Sequence, residues 1–334
     1  MPVEVDVGLA TLSDQLTLAT VLLYIIAMIG YALDLGFGRV KAAGRKAEAV
    51  LATVGGGTAG VPSSPAATPP AGEDAGKGAG ESAGKGAEKA PPAWTVWAAP
   101  VAIGLTWFGW AAHLTSILTR GWAVGRWPWG NMYEFVVAMC FAAVSAFLYM
   151  QIRYGSRFLG AFVTVASALG LGFAVRYLYV QAGPVVPALN SYWVAIHVTA
   201  AIIASGLFIM AGVSGLLFLV RRDTAVRLPS LQDLERVAHR AIVIGFPIWT
   251  FAVIAGSLWA DKAWGRYWGW DPKEIWAFIT WIAYAAYLHA RATAGFKGRA
   301  AMIVQLIAFA CLMFNLVGVN IFLGGLHSYA EVPG

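Results

Sequence analysis

Histidine and tryptophan carry most of the chemistry open to this sequence. Five histidines, His113, His197, His239, His289 and His327, occur in 334 residues. Residues 264–271 read WGRYWGWD, so Trp264, Trp268, Trp270 and Asp271 crowd one short connection, with Trp259, Trp276 and Trp281 on either side. The amphipathic indole favours membrane–water interfaces, but an interfacial belt spreads such residues over many helix ends. Several flat aromatic faces in one loop suggest a platform for a large planar ligand. The histidines decide which ligand, because neutral imidazole is a common metal ligand. Their roles depend on where the chain's elements put them.

The composition sets the class. The chain is 59% hydrophobic and 12% charged, whereas a soluble domain is nearer one-quarter charged. This predicts an all-α, polytopic membrane protein. Spans of about 20 apolar residues are predicted at 15–36, 94–118, 131–151, 158–180, 192–220, 241–260, 272–290 and 300–324, about eight transmembrane helices in all. Residues 38–92 are Ala, Gly, Pro, Ser, Lys and Glu with almost no large apolar side chain, which reads as a disordered linker. The expected organisation is a first transmembrane helix in 1–37, the linker in 38–92 and a seven-helix domain in 93–334. The N-terminal MPVEVDVGLA has no basic region before its apolar run, unlike a cleaved signal peptide.

Of the 23 Lys and Arg, 17 fall in the linker and in the connections after the third, fifth and seventh spans. The positive-inside rule assigns that side to the cytoplasm. Both termini and the tryptophan loop are then extracytoplasmic, and the net charge of +6 reports topology, with no nucleic acid as partner. Cys140 and Cys311 each lie in an apolar run and form no CxxC pair, as expected of soft core residues. Asp271-Pro272-Lys273-Glu274 has the form of a helix start, with Asp at the N-cap, Pro at the first helical position and Glu closing a capping box. Asp271 therefore has a structural role available beside a ligand-holding one. Residues 230–240, SLQDLERVAHR, read as a short cytoplasmic helix leading into the sixth span.

At about 1.5 Å per residue, His197 lies about 8 Å into the fifth span and His327 just past the end of the eighth. Both share the level of the tryptophan loop. His289 is about 27 Å deeper than Asp271 on the same scale, near the cytoplasmic face. His113 lies at the outer level without an evident partner, and His239 falls among Glu235, Arg236 and Arg240 on what reads as a solvated face. Two histidines on separate helices, level with an aromatic platform, suit bis-histidine ligation of haem iron, one imidazole on each face of the macrocycle. The sequence holds no P-loop, GxSxG, HExxH or paired carboxylate within a span, and no CxxCH, so it is not itself a c-type cytochrome.

The run WGRYWGWDPKEIWAFITWIAYAAYLHAR resembles the tryptophan-rich WWD signature of haem-handling membrane proteins. Within that group the chain, from about residue 94 onward, is similar to the CcsA/ResC family (CcsB in some bacteria) of System II cytochrome c biogenesis. The likeness extends to RGWAVGRWPWGNMYEF at 120–135, SYWVAIHV at the start of the fifth span and LHSY at the end of the eighth. Residues 38–92 depart from the family pattern. The resemblance implies that His197 and His327 are the axial ligands of haem b at an outer site, with Trp264, Trp268, Trp270 and Asp271 holding its edge. It implies that His289 belongs to an inner site completed by a ResB-type membrane subunit. The function implied is a subunit of a cytochrome c haem lyase in a bacterial plasma membrane, with a thylakoid membrane as the lesser alternative. Its haem site faces outward and presents haem for thioether attachment to an apocytochrome c bearing CxxCH. A haem transporter without ligase activity is one rival. A b-type electron-transfer subunit is another, but it usually stacks two bis-histidine haems, and only one level here has its pair.

Overall fold

The computed structural model describes residues 5–37, 95–185, 189, 191–221, 229–293 and 295–327. The 38–92 linker therefore lies outside the described residues. Every regular element among them is helical: α1 (Val7–Phe37), α2 (Thr95–Val124), α3 (Met132–Tyr154), α4 (Gly160–Phe173), α5 (Tyr192–Val220), α6 (Leu231–Trp264), α7 (Pro272–Thr293) and α8 (Gly298–Met313). A 3₁₀ turn (Arg157–Leu159) precedes α4, and a π turn (Ala174–Leu178) extends it. A second π turn (Phe314–Gly318) and a short helix (Val319–Phe322) extend α8. Seven of these helices are long and apolar enough to cross a bilayer, which makes the chain a multi-pass membrane protein. The helix outside that group is α7. At 22 residues it has the length, but Lys273, Glu274, His289 and Arg291 dilute its apolarity.

The expected short helix at 230–240 is not separate. Ser230 caps α6 by accepting the Asp233 N–H at 3.0 Å, and the helix then runs unbroken for 34 residues, past Pro247, to Trp264. Its length of about 51 Å exceeds a hydrocarbon core of about 30 Å, so the polar first turns simply project beyond it.

Helix α5 is central, packing along α6 and against α3 and α8, while α1 lies along α2 and against α4. Small residues permit the close approaches that membrane helices rely on. A Cβ on Gly206 of α5 would meet the backbone of Ala142 in α3 at 2.7 Å. Gly256 of α6 leaves room for the His197 ring, whose Cε1 would sit 2.7 Å from an added Cβ.

A buried ion cluster ties helices together at the end that carries the tryptophan loop. Glu134, 2% exposed, pairs with Arg120 Nε at 3.0 Å and with Arg126 Nη1 at 2.9 Å. It also accepts the Gly130 N–H at 2.7 Å. Arg120 reaches Asp14 on α1 at 3.4 Å and donates to the Val180 carbonyl beyond α4. Asn131 caps α3 by accepting the Glu134 N–H at 2.9 Å. The carboxylate thus fixes the 126–130 loop, which brings Trp129 to the site described next.

Candidate functional site

Helix α6 stops where Gly265 adopts a left-handed φ of 70° and its N–H bonds the Asp261 carbonyl at 2.9 Å. The chain then turns back to start α7 at Pro272. Trp270 makes the turn with a φ of 57°, the sole positive φ among the described non-glycine residues. Such a conformation costs a bulky residue about 1–3 kcal/mol. Its consequence is the burial of Asp271, 6% exposed.

Asp271 and Glu274 form the expected capping box. Asp271 Oδ2 accepts the Lys273 N–H at 3.1 Å, and Glu274 Oε2 accepts the N–H groups of Gly269 and Asp271 at 2.9 and 3.0 Å. The same aspartate does more. Its Oδ1 accepts the Leu326 N–H at 2.6 Å, and its Oδ2 lies 2.8 Å from His327 Nδ1. Burial alone would raise this carboxyl, but the bonds from His327, Leu326 and Lys273 outweigh it and hold Asp271 below the ordinary carboxylate range. One side chain therefore starts α7, anchors the segment after α8 and orients a histidine.

That orientation has chemical content. A carboxylate can only accept, so the proton between Asp271 and His327 resides on Nδ1, and Nε2 presents a lone pair. His197 is set the same way from the other side. Its Nδ1 lies 2.7 Å from the Ala252 carbonyl of α6, which again can only accept. Such outer partners fix tautomer and ring direction in histidines that ligate metals. Neither Nε2 has a hydrogen-bond partner among the described residues.

Both imidazoles line one cavity of about 180 Å³, walled by Trp129, Trp249, Trp259, Trp264 and Trp268. The Trp259 ring stands beside both, its centroid 6.3 Å from His197 and nearly parallel to it, and 5.7 Å from His327. Trp264 meets His327 edge-on at 5.0 Å. A larger groove of about 1070 Å³ between α2, α3 and α5 shares Trp129 and Val194 with this cavity but contains no histidine. The chemistry belongs to the smaller space.

The sequence-predicted residues divide accordingly. His197, His327, Trp264 and Trp268 come together around the cavity, and Asp271 supports it from behind. Trp270 does not join them; it is 64% exposed and meets Trp268 edge-on at 5.7 Å outside the cavity. His289 is exposed near the far end of α7. His239 is not on an open solvated face. It is half-buried, with Nδ1 3.4 Å from the Tyr287 hydroxyl of α7. It thus reaches the level of His289, but it faces the opposite side of that helix's last turns. His113, fully buried, has both nitrogens engaged, Nε2 with the Val137 carbonyl at 3.0 Å and Nδ1 with the Tyr24 hydroxyl at 3.3 Å.

Trp129 and Trp249 were not singled out by the sequence as cavity walls, and neither were Lys273, Asn315 and Asn320. Asn315 and Asn320 had a signal, being amides inside an apolar span. Lys273 was hidden inside its own capping motif.

Among the described residues no cluster of three or more His, Cys, Asp or Glu could hold a bare metal ion. Haem makes a smaller demand. The macrocycle brings four nitrogens of its own and asks the protein for two axial donors and apolar walls. This cavity, with two imidazoles and five tryptophans on its wall in a helical membrane bundle, has residues of those kinds. The family model for the cytochrome C assembly protein matches residues 129–327, from the cavity's Trp129 to its His327, and the chain belongs to that family. It is 33% identical over 282 residues to the cytochrome c biogenesis protein CcsA of Trieres chinensis, covering 68% of this chain and 90% of that one. It is 32% identical over 297 residues to the CcsA of Synechococcus elongatus, covering 71% and 91%. The CcsA of Prochlorococcus marinus (strain NATL2A) is 32% identical over 254 residues, covering 65% and 81%.

Proposed function

We propose that this chain is the haem-handling subunit of a membrane cytochrome c synthase, holding haem b between His197 and His327. A haem-handling role in cytochrome c biogenesis follows from the family and its CcsA relatives. The observation that carries the site is the pair of imidazoles, each with Nδ1 committed to an acceptor and both lining one tryptophan-walled cavity. The cavity is smaller than the about 300–1,000 Å³ of typical ligand pockets. A macrocycle held there would have the indoles of Trp129, Trp249, Trp259, Trp264 and Trp268 as its walls, the cavity widening to admit it.

The bilayer holds the bundle with the tryptophan end and both termini outward. There the haem edge meets an apocytochrome bearing CxxCH. Each cysteine thiol adds across one vinyl group, sulfur to one carbon and hydrogen to the other, so two thioethers form with no net oxidation or reduction. The residues of this chain position the substrate and exclude water. His289, exposed and alone, is one half of an inner site whose second imidazole comes from a ResB-type membrane subunit. The membrane is the plasma membrane of a bacterium.

Replacing His197 or His327 with glycine tests the assignment. Each change abolishes holocytochrome formation but leaves a hole the size of imidazole, so exogenous imidazole partly restores haem-stained cytochrome and the bis-imidazole spectrum. It does much less for Trp268→Ala, which removes stacking area and no nitrogen donor. A normal bis-imidazole spectrum in both glycine variants without added imidazole overturns the assignment.

A further inference from the structure

The cavity contains a cation whose hydrogen-bond partner among the described residues is a neutral amide. Lys273, in the first turn of α7, lines the wall shared with His197 and His327. It is half-buried, and its Nζ donates to Asn320 Oδ1 at 2.8 Å. It makes no ion pair among the described residues. Its acidic neighbours are committed elsewhere: both Asp271 oxygens accept from Leu326, His327 and the Lys273 backbone, while Glu274 caps Gly269 and Asp271. Asp271 attracts the ammonium from a distance but makes no contact with it, and a charge removed from water is costly unless a ligand bonds it directly.

A second, separate observation points to the same wall. Asn315 is 3% exposed, lines the cavity, and its side-chain amide makes no hydrogen bond among the described residues, its buried Oδ1 included, so that turning the amide over offers an N–H in that place. Buried polar atoms without partners are rare and call for a specific explanation. The backbone here is the π turn Phe314–Gly318, whose i→i+5 winding brings residues five apart, such as 315 and 320, toward one face. Single π turns inside helices recur at functional sites.

We propose that Lys273, Asn320 and Asn315 form a receptor for a carboxylate of the bound haem. The proposal rests on the outer-site reading above and deepens it, since haem is the ligand whose two carboxylates share one edge of a planar ring. The Lys273 ammonium supplies the counter-charge and the Asn315 amide turns its N–H toward the second oxygen. Because the vinyl groups lie away from the carboxylate edge, the receptor does more than add affinity. It selects which edge of the macrocycle is turned away from the α7–α8 corner and left open to a thiol. Lys273 and the asparagines are positioning residues in this role.

The test compares two probes on the purified full chain in detergent: iron protoporphyrin IX and its dimethyl ester, which lacks the charges but keeps the ring and iron. Wild type binds the free acid at least about tenfold more tightly than the ester, the scale of a charge-assisted hydrogen bond. Lys273→Met brings the ratio to near one while the bis-imidazole spectrum persists. Lys273→Arg retains the preference, and Asn315→Leu reduces it by about threefold to tenfold. Equal binding of acid and ester by wild type overturns the proposal without recourse to any variant. A preference that survives in Lys273→Met also overturns it. If neither probe gives wild type a bis-imidazole spectrum, the outer-site reading itself fails, a result independent of Lys273.

Discussion

At the tryptophan end of the bundle, His197 and His327 arrive from α5 and from the segment beyond α8, each locked at Nδ1 by an acceptor and both lining a common cavity. At the opposite end His289 stands exposed near the close of α7, while His239 turns to Tyr287 and Glu235 pairs with Arg291. The first arrangement brings two imidazoles together within one chain. The second offers a single imidazole with no other facing it among the described residues. On the reading proposed above, a haem at the first end depends on this chain's own residues, and a haem at the second depends on a partner. That difference can be broken experimentally at each of its supports.

The largest effect on the site itself falls on Asp271. Asp271→Ala removes the acceptor that sets the His327 tautomer, the N-cap of α7 and the anchor of Leu326 together. Loss of such an outer partner costs about 10–100-fold in metal affinity or activity, read as holocytochrome yield and haem retention. The pH dependence has a definite sign. The carboxyl of Asp271 is held below its ordinary range, so its stabilising contacts are fully present above about pH 4 and fail as pH falls through the lowered value. Haem retention that declines between pH 8 and pH 6 through this residue contradicts the assignment.

Next comes Glu134, whose removal leaves half-buried Arg126 without its carboxylate and buried Arg120 with only Asp14, at 3.4 Å. Glu134→Ala destabilises the bundle by about 3–5 kcal/mol, measured by thermal unfolding in detergent, and loosens the loop that holds Trp129 against the cavity. Smaller is His113→Leu, at about 1–3 kcal/mol, the cost of orphaning the Tyr24 hydroxyl and of losing the bond to the Val137 carbonyl. Its signature separates burial from ligation: stability drops, the bis-imidazole spectrum stays, and added imidazole restores nothing.

Much of this was legible in the residues. Apolar runs mark the helices, and the WGRYWGWD loop with DPKE behind it marks the turn, the capping box and the level of the site. His197 and His327 stand out because both fall at that level. What the sequence hides is direction. Spacing does not reveal that Trp270 would absorb the left-handed turn and point outward, nor that Trp129 would cross from α3's approach to the cavity, because Arg120, Arg126 and Glu134 set that loop from three places in the chain. His239 looked solvated because its helix neighbours are charged. Its true neighbour, Tyr287, lies 48 residues away. The Lys273–Asn320 contact likewise joins residues 47 apart, and no local pattern announces it.

The smallest expected effect bears most directly on the comparison. In the isolated chain, His289→Gly leaves the bis-imidazole spectrum, the haem stoichiometry and the melting temperature unchanged. The side chain is exposed and makes no hydrogen bond among the described residues, so nothing folded depends on it. Surface substitutions of this kind fall within about 0.5 kcal/mol. In membranes that also contain the ResB-type subunit, the same variant lowers holocytochrome yield, because a site built from two chains loses half its ligands. The two measurements bracket the idea. If His289→Gly strips haem from the isolated chain, the inner level is self-sufficient and a second histidine of this chain, with His239 the nearest in level, must rotate to meet it. If it changes nothing in either setting, His289 is no ligand, and the outer cavity is the whole of this chain's haem chemistry.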